Sequence, residues 1–141
     1  MNTKMNKKSG FTLLEIIIVI IIVGVLASLA LPRFFSTVEF SRSTEALSAM
    51  ASVRQALERC YLQQSGTYAN CNIGNLDVQN PSTAAGAHFK AYAVTNQGAA
   101  AYTITATRGT INGGDGASII TVVQDSNGVT RSGTGVFSGI K

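Results

Sequence analysis

The run Lys7-Lys8-Ser9-Gly10-Phe11-Thr12-Leu13-Leu14-Glu15 opens directly into residues 16–32, which carry no charge at all. As a helix, Phe11 to Leu31 would span roughly 32 Å, enough for a hydrocarbon core of about 30 Å. Ile and Val dominate Ile16 to Val23, and in lipid their modest helix propensity is overruled because every backbone group must bond internally. Glu15 stands alone at the head of this segment. A lone carboxylate at the bilayer centre costs roughly 2.5–3.5 kcal/mol, and less nearer the interface. Its natural partner is a positive charge brought by another molecule, so the segment reads as built for assembly as well as anchoring.

An ordinary secretory signal peptide, cut after Ser28-Leu29-Ala30, is the competing reading. The apolar stretch is longer than a usual signal core, Glu15 interrupts its start, and a helical pattern continues past the supposed cut. Gly24 costs about 1 kcal/mol and Pro32 roughly 3 kcal/mol relative to Ala inside a helix. Pro32 has no N–H for the carbonyl of Ser28, and its ring crowds that turn. The two bracket a segment that can stretch or unwind at low cost, or else mark a kink where the helix leaves the membrane.

A short basic leader, Gly10 before Phe11, Glu15 four residues after that Phe, and Gly24 and Pro32 further on together closely resemble the prepilin signature. That signature belongs to type IV pilins and to the pseudopilins of type II secretion. The resemblance covers residues 4 to 40. It implies that residues 1–10 are a leader cut between Gly10 and Phe11 by a membrane aspartyl peptidase, the prepilin peptidase. It also implies that the new Phe11 amine is N-methylated and, still charged, neutralises Glu15 of a neighbouring subunit in a helical filament. By the same resemblance, helical order between Gly24 and Pro32 is lost in the filament. The chain is expected first in the bacterial inner membrane, single-pass with a cytoplasmic N-terminus, and then in an extracellular pilus built by the pilus assembly machinery.

Charge supports that topology. Eleven basic residues face seven acidic ones, for a formal +4. Lys4, Lys7 and Lys8 all precede Gly10, so eight basic residues against seven acidic ones leave about +1, and the basic excess lies in the leader, as the positive-inside rule expects of a cytoplasmic N-terminus. No specific nucleic-acid partner is expected from such a balance. Charged residues make up only 13% of the chain, which suits an extracytoplasmic protein. Cys60 and Cys71 form an even pair that export would oxidise to a disulfide, the alternative being two free thiols. Closing that loop would stabilise by roughly 3 kcal/mol.

Past Pro32 the pattern turns amphipathic. Ala46, Met50, Val53, Leu57 and Cys60 recur at helical spacing on one face. Glu39, Arg42, Glu45, Arg54, Glu58 and Arg59 occupy much of the rest and read as a solvated face. Strands are expected at His88 to Thr95, Ala101 to Thr107, Ser118 to Gln124 and, shorter, Val129 to Ser132, separated by Asn- and Gly-rich turns. The fold class is therefore α+β. A long N-terminal helix packs on a small antiparallel sheet in a ladle-shaped pilin fold. Residues 11–32 form the hydrophobic helix and 33–141 a globular head, with a helix to about 64, a loop over 65–86 and a sheet over 87–141.

Catalytic chemistry is not expected. The chain has one histidine, His88, which reads as a surface or partly buried residue, and no nucleophile motif. Gly133-Thr134-Gly135 lacks the helix and Lys of a phosphate cradle and reads as a flexible C-terminal tail. Asp125, Asn127 and Gly128 faintly resemble a calcium loop without its downstream acid, so no metal and no cofactor is expected. Phe34, Phe35, Phe40 and Tyr61 fit packing against neighbouring helices. Three functions stay open: a structural subunit of a type IV pilus, a pseudopilin or minor pilin, and a membrane-tethered binding module for DNA or an adhesion receptor. Adhesion, motility, DNA uptake and secretion all fit the first two.

Overall fold

The computed structural model describes residues 10–141; the expected leader lysines Lys4, Lys7 and Lys8 lie outside the described residues. One helix, α1, runs Leu13–Gln63. The described chain divides into a unit that ends at Phe35 and a unit Ser36–Lys141.

In the first unit, α1 is helical through Gly24 and Pro32. Thr12 caps its start: the Glu15 N–H reaches the Thr12 carbonyl at 3.1 Å and its Oγ1 at 3.3 Å, which satisfies a donor that the first turn otherwise leaves free. Every residue from Gly10 to Ser36 is exposed. This is the one helix among the described residues long and apolar enough to cross a membrane.

In the second unit, α1 carries a buried stripe of Ser43, Ala46, Met50, Val53, Ala56, Leu57 and Cys60, as the helical spacing predicts. The helix stops in a Schellman turn. Ser65 adopts a left-handed φ of 57° and the Gly66 N–H bonds back to the Tyr61 carbonyl at 3.0 Å, closing carbonyls that the last turn leaves open.

Four antiparallel strands follow in the order in which they occur: β1 Phe89–Thr95, β2 Tyr102–Arg108, β3 Ile119–Asp125 and β4 Gly128–Gly133. Each lies within about a residue or two of the stretch that β-branched and aromatic content marks. In β2 the alternation is complete: Tyr102, Ile104, Ala106 and Arg108 are buried between Thr103, Thr105 and Thr107. Pairing Ile104 with Val122 and Ala106 with Ile120 lines one face of the sheet with apolar groups, and α1 covers it to form a single core.

The connections contribute to that core. Tyr68 and Cys71 in the loop after α1 are buried. The loop is bound to the β1–β2 turn by Tyr68 N–H to Gly98 O at 3.1 Å and Gln97 Nε2 to Cys71 O at 2.6 Å. The C-terminal stretch corrects the expectation of a flexible tail. β4 extends to Gly133, Thr134 N–H bonds Ile119 O at 2.9 Å, and a short 3-10 turn at Gly135–Phe137 buries Phe137 completely. Stacking of Phe137 on Phe89, ring centroids 5.6 Å apart, holds the segment that its Gly and Ser content would otherwise leave loose.

Candidate functional site

The N-terminal unit places three of the expected site residues within six positions at the head of α1. Gly10 and Phe11 precede the helix and Glu15 lies in its first turn. Phe11 is 80% exposed, and Glu15 makes no ion pair among the described residues. Leu13, Leu14 and the apolar residues from Ile16 to Leu31 continue this exposed surface. An apolar area of that extent marks a face for lipid or for another protein. Gly24 and Pro32 lie further along the same helix and do not join the cluster.

Cys60 and Cys71 belong to the second unit, where they are joined in a disulfide with Cα atoms 5.9 Å apart. Around it the loop is fastened by a forked pair, Arg59 Nε and Nη2 to Asp77 at 2.6 and 2.8 Å. The Tyr68 hydroxyl donates to the Glu58 carboxylate at 3.0 Å, while its ring packs on Tyr61 and edge-on to Tyr102. Burial and the adjoining carboxylate raise the Tyr68 phenol well above its usual range, so it stays protonated and donates at any physiological pH.

A second polar assembly was not visible in the sequence pattern. Glu39, Arg42 and Glu45, read as a solvated face, instead reach across to the sheet. Arg108 is fully buried, and each of its donor nitrogens is engaged. Nε and Nη2 fork onto Glu39 at 2.8 and 3.2 Å, Nη1 reaches the carbonyls of His88 and Gly109 at 2.7 and 3.1 Å, and Nη2 also takes Ile111 O at 3.1 Å. Its hydrogen bond to Glu39 is the main reason that carboxyl sits below its usual pKa. Arg42 bonds both Glu39 and the Asn112 carbonyl. Glu45 accepts from the His88 backbone N–H at 3.1 Å, holds Nδ1 at 2.7 Å, and Asn112 Nδ2 stands 3.2 Å from Nε2. All of the imidazole's polar atoms are thus engaged by protein. The only sequence signal for this assembly was an Arg ending an otherwise apolar-and-Thr alternation.

These features define a class: a type IV pilin-like protein, in which an exposed apolar helix headed by a carboxylate leads into a helix-backed antiparallel sheet. Comparison with known proteins agrees. The prokaryotic N-terminal methylation motif matches residues 5–31. The chain belongs to the family described as type IV minor pilin ComP, DNA uptake sequence receptor, whose model matches residues 32–117.

Among similar proteins, the type IV pilus subunit protein TapA of Aeromonas hydrophila is 38% identical over 82 residues, 58% of this chain and 57% of that protein. A probable minor fimbrial protein of Dichelobacter nodosus is 41% identical over 66 residues, 47% of this chain and 42% of that protein. The type II secretion system core protein G of Aeromonas hydrophila is 35% identical over 80 residues, 57% and 55% of the two chains. The chain spans about half the length of the curated relatives it matches. No solved structure gives a significant match.

Proposed function

We propose that this chain is a type IV pilin subunit, of the minor-pilin kind that its family's description names, and that it enters a filament through its N-terminal helix. The observation that carries this reading is Glu15, an exposed carboxylate one turn from Phe11 at the head of an exposed apolar helix. A tether alone has no use for that charge. In the proposed pathway the leader keeps the N-terminus cytoplasmic while the helix spans the inner membrane, and the prepilin peptidase cuts between Gly10 and Phe11. Gly10 suits the cut because a side chain there would obstruct the protease's approach to the backbone. The methylated Phe11 amine of one subunit then neutralises Glu15 of the next, in an apolar bundle where a paired charge sets register and an unpaired one is costly. Gly24 and Pro32 supply the place where the helix yields as subunits pack.

The role is structural, in keeping with a family of pilin structural proteins. A second reading, contact with DNA by the head, is supported by the family model itself, which is described as a DNA uptake sequence receptor and matches residues 32–117. A pseudopilin role is supported by the likeness to type II secretion core protein G.

One preparation separates these readings. Surface material is sheared from native cells, imaged, and its proteins weighed intact, beside the inner-membrane fraction. A chain starting at methylated Phe11 and found sparsely within filaments of another subunit supports the minor pilin. Filaments made mainly of it identify a major pilin, and processed chain confined to the inner membrane a pseudopilin. Uncut chain, or one starting after Ala30, overturns the prepilin reading. Gel-shift of the filaments with duplex DNA tests the second reading.

A further inference from the structure

β4 is the open edge of the sheet. It pairs with β3 alone, and Val129, Thr130, Arg131 and Ser132 are all exposed. Beyond β3, β4 meets the Gly135–Phe137 turn near its end at Gly133, while the opposite edge, β1, packs against the Pro81–Thr83 turn. An edge strand turns alternate N–H and C=O groups away from its single neighbour, a row ready to pair with another extended chain.

A cleft of about 510 Å³ lies beside this edge, lined by Arg54, Val129, Thr130, Arg131 and Lys141. Its lining includes three cationic side chains and no Asp or Glu side chain, and none of the three cations makes an ion pair among the described residues. The register sets Arg131 opposite Val122, whose side chain is buried, so Arg131 stands on the sheet face that α1 covers. Arg54 meets it from α1, its Nε donating to the Tyr102 hydroxyl at 3.4 Å.

We propose that β4 accepts an extended acidic segment of a partner polypeptide as a fifth strand, its backbone on the open edge and its carboxylates on Arg54, Arg131 and Lys141. Carboxylates on alternate residues of a strand fall on one face at intervals of roughly 6.8 Å, so a single extended segment can present several to the cleft while its backbone completes the ladder. Nucleic acid would meet the cations but has no strand-spaced N–H and C=O groups to offer the edge. β4, Arg131 and Lys141 also lie beyond residue 117, where the match to the DNA-receptor family ends.

The test uses the full chain, isotope-labelled, in detergent micelles. It is titrated with a short peptide alternating glutamate and valine, with the same peptide N-methylated along its backbone, and with a short DNA duplex. The peptide should shift the amides of Val129 to Ser132 and the side-chain signals of Arg54. N-methylation, which keeps the charge and removes the ladder, should weaken binding at least about tenfold. Arg131→Glu, an exposed position whose change leaves the core spectrum intact, should weaken it by a similar factor of about ten. No shift at millimolar peptide, equal binding of the N-methylated form, or DNA shifting β4 where the peptide does not would each overturn the proposal.

Discussion

Glu39 of α1 and Arg108 at the end of β2, 69 positions apart, form a forked ion pair in which the guanidinium is fully buried and the carboxylate partly exposed. Because the same guanidinium also holds the carbonyls of His88, Gly109 and Ile111, the pair ties the helix, the entry to β1 and the β2–β3 loop at one point. Such a pair contributes little against an apolar replacement, but removing one partner strands the other. Glu39→Ala is expected to destabilise the head by about 3–5 kcal/mol, measured by denaturant unfolding. Arg108→Lys should recover only part of the stability of Arg108→Ala, since an ammonium cannot fork.

The same pair gives a pH dependence with a definite sign. The Glu39 carboxyl is held below its ordinary value of 4.5 by the hydrogen bond from Arg108. A carboxyl whose folded pKa is depressed contributes stability that is present above the unfolded value and is lost as pH falls through the folded one. Melting temperature should therefore hold from neutrality to about pH 5 and fall below it. Glu39→Gln should flatten that fall, and a variant that melts with the wild-type slope would remove Glu39 from the account.

Gly114 tests how closely the loop is fitted around Arg108. A Cβ there would lie 1.9 Å from the Gly109 carbonyl oxygen and 2.6 Å from Arg108 Nη1, both held in the hydrogen-bonded centre of the assembly. Gly114→Ala should cost about 1–3 kcal/mol through forced displacement. Hydrogen exchange should localise the loss to the loop after β2, while Gly139→Ala, with open space around it, serves as the neutral control.

Asp115 fastens the C-terminal stretch. It accepts from the Ala117 and Ser118 N–H groups at 3.0 and 2.9 Å and from the Ser118 hydroxyl, and Ser118 Oγ in turn accepts from Val136 N–H at 3.0 Å. Those bonds, led by the Ser118 hydroxyl, pull the carboxyl down to about 2. Ser118→Ala should return its titration towards the ordinary range in NMR and loosen residues 134–140. The Asp115 contribution to stability is complete above the ordinary carboxyl range and is lost progressively as pH falls towards about 2.

Replacing Cys60 and Cys71 by Ser should cost roughly 3 kcal/mol by restoring the entropy of the unfolded loop. Exchange protection should fall first between Gln64 and Val78. Equal stability of oxidised and reduced chain would show that the Arg59–Asp77 pair and the tyrosine stack suffice.

In the N-terminal unit, Glu15→Val should leave membrane insertion intact and abolish entry into filaments. The loss corresponds to the roughly 3–5 kcal/mol of a pair with one partner removed, read by fractionating cells into membrane and sheared material. A variant recovered in filaments at wild-type level would sink the pairing role proposed for Glu15 and Phe11.

Local order alone settled much of this protein. A charge-free run behind Gly10-Phe11 and Glu15 reads as a helix for lipid or a protein bundle, where the backbone must bond within itself. The spacing of Ala46, Met50, Val53, Leu57 and Cys60 chose the buried face of α1, since a 3.6-residue period maps onto a single stripe. β-Branched and aromatic content between Asn- and Gly-rich turns marked the strands, and their alternate burial, as in Tyr102, Ile104 and Ala106, came with the sheet. Partners distant in the chain were decided only by tertiary structure. Nothing in Glu39, Arg42 or Glu45 distinguishes a charge facing water from one reaching Arg108 or His88, because that depends on which sheet end the helix meets. Phe137 and Ile140 stand as isolated apolar residues in a Gly- and Ser-rich stretch, too sparse to make a period. Only the completed sheet, with Phe89 waiting to stack and Ile119 O to accept, turns that stretch into part of the core.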